Sequence, residues 1–115
     1  MDIRKNCIFC KIIRGEIPSK KHYECDEFII IEDIAPQAKK HYLLVPKNHY
    51  AYLSEATAGD AATLGKALAK IPTLNLGTEN GYRLILNQGE DGGQEVFHLH
   101  FHILFGEKLP SIIVK

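Results

Sequence analysis

Three histidines fall at every second position, His98, His100 and His102, followed in turn by Leu99, Phe101 and Ile103. Successive side chains of a β-strand point to opposite faces, so this alternation predicts three imidazoles on one face and three large apolar groups on the other. Imidazole titrates near neutral pH and can serve as nucleophile, proton carrier or metal ligand without a large pKa shift. At about 3.3 Å per residue the outer two Cα atoms lie roughly 13 Å apart, with His100 about 6.6 Å from each. That spacing suits a central reactive imidazole with a helper on either side better than three ligands on one ion.

The segment that delivers the chain into this row is Asn87-Gln88-Gly89-Glu90-Asp91-Gly92-Gly93-Gln94-Glu95-Val96. Its glycines allow backbone N–H groups to converge on an anion, with the amides of Asn87 and Gln94 as further donors. A plain hairpin connection is the other reading. An anion pocket beside a row of imidazoles is the arrangement expected for phosphoryl or nucleotidyl transfer through a covalent histidine intermediate. Elsewhere, Cys7 and Cys10 form Cys-x-x-Cys, half of a zinc ligand set or a pair of small buried thiols. No βαβ context surrounds the pair to favour a thioredoxin-like redox role. Cys25 has no partner in the motif and reads as an ordinary strand residue.

The elements that must position these residues follow from periodicity and punctuation. Cys7 to Arg14 reads as a short helix ended by Gly15, with Pro18 in an exposed turn. Lys20 to Cys25 and Phe28 to Asp33 read as strands joined by a tight turn at Asp26 and Glu27. Pro36 and Gln37 lead into a third strand, His41 to Val45, stopped by Pro46. Thr57 to Ile71 is the long helix, with Ala61, Leu64 and Leu68 at helical spacing and Pro72 at its end. Its Gly65 marks either a close approach to the sheet or a tolerant surface position. Tyr82 to Asn87 and Phe97 to Phe105 supply the last strands. Short strands with one long helix between the third and fourth predict an α+β fold with a mainly antiparallel sheet.

The chain has 115 residues, enough for one domain spanning 1–115 with a modest core, and we expect it to oligomerise. Fourteen Lys and Arg balance fourteen Asp and Glu, giving a formal net charge of zero, and the basic residues are scattered. A duplex nucleic acid partner needs a concentrated positive face, so none is expected. The charged start, Met1 to Asn6, lacks an apolar segment, and no apolar run approaches the about 18 residues of a membrane span. Three cysteines, an odd number, do not resemble a secreted disulfide framework. We therefore expect a cytoplasmic protein without a membrane partner.

The row His98-Leu99-His100-Phe101-His102-Ile103-Leu104 resembles the signature of the histidine triad (HIT) family of nucleotide hydrolases and transferases. The chain is more narrowly similar to its histidine triad nucleotide-binding branch. That likeness rests on Ile8 to Pro18, on Asp33-Ile34-Ala35-Pro36-Gln37-Ala38 with His41, and on Gly92-Gly93-Gln94 before the triad. Four separated motifs in one order, over about residues 7–104, make it specific. The resemblance implies a HIT-like fold: a mainly antiparallel five-stranded sheet, one short and one long helix, and a homodimer with a continuous sheet. It implies that His100 attacks an α-phosphorus to form a nucleotidyl-histidine, which water then hydrolyses. His102, Asn87, Gly93, Gln94 and Glu95 match positions around the α-phosphate. His41 matches the histidine that supports the triad, giving a catalytic set of His100, His102 and His41. Asp33 matches the acidic residue on the ribose hydroxyls. Phe9, Ile12, Ile31 and Ile34 match the apolar slot for a purine. Members with the N-terminal Cys pair bind zinc, and the matching ligands here are Cys7, Cys10, His49 and His98, a closed tetrahedral site of structural type.

The chain departs from the family pattern at three places. Some members carry a hydroxyl residue where Glu95 stands, and a carboxylate there repels phosphate unless it turns away, pairs with a cation or carries a proton. Phe105 and Glu107 replace the usual small residue and Arg after the triad, and the tail from Leu109 to Lys115 is short. The resemblance thus implies a hydrolase of purine nucleoside 5′-phosphoramidates or related nucleotidyl conjugates (AMP or GMP conjugates). The alternatives are a dinucleoside polyphosphate hydrolase, or a nucleotide-binding or partner-binding module with little turnover. A zinc hydrolase using the triad as its metal site is a further class.

Overall fold

The computed structural model describes residues 6–112; Met1 to Lys5 and Ile113 to Lys115, which complete the charged start and the tail read above, lie outside them. Helix α1 spans Ile8–Ile13 and begins at Cys7, whose Sγ accepts the Cys10 N–H at 3.3 Å. It stops at Gly15, where φ is +80°, a left-handed conformation that glycine adopts without a Cβ penalty. Strands β1 (Lys21–Glu24), β2 (Phe28–Glu32) and β3 (Lys40–Pro46) follow. Helix α2 (Ala58–Lys70), then β4 (Arg83–Ile85) and β5 (Phe101–Phe105) complete the order. The five strands form one sheet in the order β1-β2-β3-β5-β4, antiparallel at every junction. The expected α+β architecture is therefore present.

Its two faces have separate cores. One is built from Phe28, Ile30, Tyr42, Leu44, Leu99, Ile103 and Phe105, covered by Leu64, Ala67 and Ile71 of α2 and its continuation. The other is built from Ile29, Ile31, Leu43 and Val45, covered by Cys7, Phe9, Cys10 and Ile12 of the α1 segment. Strands β2 and β3 are thus buried on both sides, which is why they read as unbroken apolar runs instead of alternating ones. Helix α2 is capped reciprocally: Thr57 Oγ1 accepts the Asp60 N–H and Asp60 Oδ2 accepts the Thr57 N–H, both at 3.0 Å.

Several element boundaries differ from the sequence reading. The β5 ladder begins at Phe101, so His98 and His100 precede it, although their alternation with Leu99 persists. Strand β4 covers only Arg83–Ile85, which leaves Asn87 in the connection. Ile71 opens a short 3-10 turn that includes Pro72, and Ala61 faces solvent while Ala67 faces the core. A Cβ at Gly65 would meet nothing within 4 Å, so the surface reading of that glycine holds.

Candidate active site and metal cluster

His41 enters at the second residue of β3 and His102 at the second residue of β5, both on the sheet face that α1 covers. Antiparallel pairing sets Leu43 opposite His102 and His41 opposite Leu104, so the two imidazoles meet diagonally. His41 Nε2 lies 2.8 Å from His102 Nδ1. The Gln37 N–H donates to His41 Nδ1 at 3.0 Å, which places the proton of the neutral ring on Nε2. His41 therefore donates to His102 Nδ1, and His102 carries its own N–H on Nε2.

The tautomer of His100 is fixed in the same way. Its Nδ1 donates to the His98 carbonyl at 2.8 Å, leaving the lone pair on Nε2. Burial pushes the His100 imidazole below its ordinary value, against the opposing pull of the His98 carbonyl and Asp33. Burial, with the neighbouring His100 and His41, pushes His102 down to about 4. Both rings are therefore neutral at pH 7, one presenting a lone pair and the other an N–H.

These rings line a cavity of about 660 Å³. Its apolar wall includes Phe9, Ile12, Ile31, Ile34 and Leu43, and its polar lining includes Asp33, Asn87, Gly93, Gln94 and Glu95. The expected base-slot, ribose and phosphate residues thus share one cavity with His100, His102 and His41. Ile34 is 96% exposed, an apolar side chain at the rim covered by nothing in the described chain. The charged groups of the lining are Glu32, Asp33 and Glu95, with no Lys or Arg. Sequence reading missed Leu43, hidden inside an apolar run, and the backbone role of Gln37, which side-chain chemistry does not announce.

The glycine-rich loop differs from the nest read in the sequence. The Gly93 N–H donates to Glu90 O and the Gln94 N–H to Gly89 O, so both close the turn. The Gln94 side chain also turns inward: its Nε2 donates to Ala51 O and Val96 O, and its Oε1 accepts the Gly89 N–H. Gln94 is thus a brace for the loop instead of an amide donor to phosphate. A Cβ on Gly92 would lie 2.4 Å from Gln88 O, so the loop requires glycine there for close packing.

A second cluster lies on the other side of His98. The His98 Nε2–H donates to Pro46 O at 2.7 Å, which leaves the Nδ1 lone pair directed at Cys7 Sγ (3.4 Å), Cys10 Sγ (3.5 Å) and His49 Nδ1 (3.1 Å). Cys10 Sγ is 3.2 Å from His49 Nδ1. A tetrahedral ion with bonds of about 2.0 Å to nitrogen and 2.3 Å to sulfur has N–N and N–S edges of about 3.3 and 3.5 Å. The four residues fit that geometry and can hold a metal ion. Asp33, His41 and His102 also converge, with Asp33 Oδ2 3.4 Å from His41 Nε2. That group does not fit an ion as arranged, because His41 Nδ1 already accepts from Gln37 and a neutral ring has no second lone pair.

The chain belongs to the HIT domain family, whose model matches residues 14–109. It is 44% identical to a histidine triad protein from Clostridium difficile, with a TM-score of 0.87 over 93% of this chain and 96% of that one. It is 39% identical to a HIT family hydrolase from Legionella pneumophila, with a TM-score of 0.82 over 91% and 96% of the two chains. A zinc-bound histidine triad family protein from Mycobacterium smegmatis is 30% identical, with a TM-score of 0.71 over 88% and 75%.

Proposed function

We propose that this protein hydrolyses purine nucleoside 5′-phosphoramidates or related nucleotidyl conjugates through a nucleotidyl-histidine on His100. The observation that carries this reading is the 2.8 Å hydrogen bond from His100 Nδ1 to the His98 carbonyl, which presents the Nε2 lone pair of a neutral, buried ring. In the first half, His100 Nε2 forms a bond to the α-phosphorus as the bond to the leaving amine breaks, and the amine departs with a proton delivered by water while the neutral His102 ring keeps its Nε2–H on a phosphate oxygen. In the second half, water attacks the same phosphorus, gives up its proton to solvent and breaks the bond to His100. His41 orients His102, and Asn87 with His102 holds the phosphate oxygens. Asp33 accepts from the ribose hydroxyls, and the base lies between Phe9, Ile12, Ile31 and Ile34.

Three carboxylates and no Lys or Arg in the lining weigh against a dinucleoside polyphosphate, whose leaving group carries several negative charges. An intact nucleophile weighs against a module that binds without turnover. Zinc is our assignment for the ion at Cys7, Cys10, His49 and His98, where it supplies cross-linking of α1 to the triad segment and no reactive water. We also assign a cytoplasmic homodimer, with exposed Leu84 on edge strand β4 as part of the surface a second copy covers.

The test is steady-state turnover of adenosine 5′-phosphoramidate by wild type and His100→Ala, with intact-mass detection of the adenylylated protein. Loss of turnover in the variant and an adduct on the wild type support the reading. Equal turnover in both overturns the nucleophile.

A further inference from the structure

The metal cluster and the nucleophile are adjacent through more than sequence. Two of the contacts that hold His100 lead to a residue of the cluster or its flank, while a third, the ring of His102 at 5.1 Å, belongs to the triad itself. The first is the hydrogen bond from His100 Nδ1 to the main-chain carbonyl of His98. The His98 ring is clamped at both nitrogens, by Pro46 O on Nε2 and by the cluster on Nδ1. The second is Phe9, whose ring meets the His100 ring edge-on at 4.9 Å and 75°, and the His98 ring at 5.8 Å and 83°. Phe9 lies between Cys7 and Cys10 in the first turn of α1, so both ends of the turn that aims its ring are ligand positions.

We propose that the Cys7, Cys10, His49 and His98 cluster is coupled to catalysis: the ion it holds fixes the orientation of His100 through the His98 carbonyl and the Phe9 ring, with Phe9 and His98 as positioning residues. The proposal rests on the hydrolase reading for its rate consequence and on the zinc assignment for its ion. Attack requires Nε2 aligned with the phosphorus within a near-contact geometry, and a misplacement of about 1 Å costs about a hundredfold in rate. The fold does not depend on the ion to the same degree. The face beneath α1 is apolar, with Ile29, Ile31, Leu43 and Val45 packed against Phe9 and Ile12, so removing the ion loosens the first turn of α1 while the sheet remains.

The experiment compares the full chain loaded with Zn2+, stripped by a chelator, and reloaded with Cd2+, whose bonds to sulfur are longer. Three quantities are read for each form: the ring 15N spectrum of His100, the single-turnover rate of adduct formation with adenosine 5′-phosphoramidate, and the melting temperature. The expected result is one sharp Nδ1–H tautomer of His100 in the zinc form. A mixed or broadened signal after stripping should accompany a rate loss of at least about tenfold, and Cd2+ should shift the His100 resonances and lower the rate with melting unchanged. If the stripped chain unfolds, the Zn2+ and Cd2+ forms decide the matter, since both are folded. A melting temperature that follows the metal while the His100 spectrum and rate do not would overturn the proposal, as would failure of the four residues to bind either ion. If no form makes an adduct, the hydrolase reading fails, and the His100 spectrum still decides the coupling.

Discussion

His41 Nε2 stands 2.8 Å from His102 Nδ1, and the Gln37 N–H on the far side of His41 fixes which ring donates. A main-chain group outside the triad thereby selects the tautomer of a residue inside it. His41→Ala leaves the Gln37 N–H and His102 Nδ1 without these partners. We expect a stability loss of about 1 kcal/mol by thermal melting, the net size of a typical hydrogen bond, since both groups line the cavity and water can reach them. His102 should also shift from a single Nε2–H tautomer to a mixture in its ring 15N spectrum. An unchanged His102 spectrum would sink the relay.

The pH dependence follows from burial. His102 is held down to about 4 and His100 below its ordinary 6.5, so both stay neutral in the folded protein where an unfolded chain would protonate them. Between pH about 6.5 and 4 the unfolded state therefore binds more protons, and stability falls as pH falls through that window. Thermal melts from pH 7 to pH 5 should show a decreasing midpoint. The single-turnover rate should hold level from pH 8 to below 6.5 and decline only on the more acidic side. An acid limb centred at or above 6.5 would contradict a buried, neutral His100 as the proposed nucleophile.

Gln94 makes three hydrogen bonds to main-chain groups of Gly89, Ala51 and Val96, so it ties the glycine-rich loop to the segment after β3. Gln94→Leu keeps the volume and removes every one of them. The expected cost is about 1–3 kcal/mol, and turnover should drop because Gly93 and Glu95 line the cavity from that loop. Gln94→Glu, which restores an acceptor for the Gly89 N–H but no donor, should recover only part of the stability. Full recovery would mean that the two donated bonds contribute nothing.

Glu95 lines the cavity as an exposed carboxylate, and no ion pair involves it among the described residues. Under the proposed function, a polyanionic leaving group would meet its charge. Glu95→Gln should raise kcat/KM for a dinucleoside polyphosphate relative to a phosphoramidate by about fivefold at low salt, the size of a ~1 kcal/mol repulsion in water. The gain should shrink in high salt as screening removes the repulsion. A ratio that does not move with the substitution would show that Glu95 faces away from the leaving group.

The elements were legible where local chemistry is strong. The helical spacing of Leu64 and Leu68 announced α2, Gly15 the end of α1, and the runs Phe28-Ile29-Ile30-Ile31 and Tyr42-Leu43-Leu44-Val45 the central strands. Errors fell where tertiary contact overrides pattern. His98 and His100 alternate like a strand, yet the pairing that defines β5 begins only at Phe101, because the Leu99 N–H donates to Tyr50 O at 2.8 Å instead of to β3. The loop read as an anion nest because glycine and amide composition is shared by loops that bind anions and loops that bind themselves. Only the positions of Ala51 O and Glu90 O showed where the Gly93 and Gln94 donors go.

The sequence by itself determined which residue types are available for chemistry and that the triad alternates with core residues, since side-chain type and period are local properties. The gathering of Cys7, Cys10, His49 and His98 required the fold, because the ligands span 91 positions and their shared direction depends on Pro46 O orienting the His98 ring. The tertiary structure also decided the proton positions. Hydrogen-bond partners set tautomers, and Gln37 for His41, His41 for His102 and the His98 carbonyl for His100 are brought into reach only by strand register and the turn before the ladder.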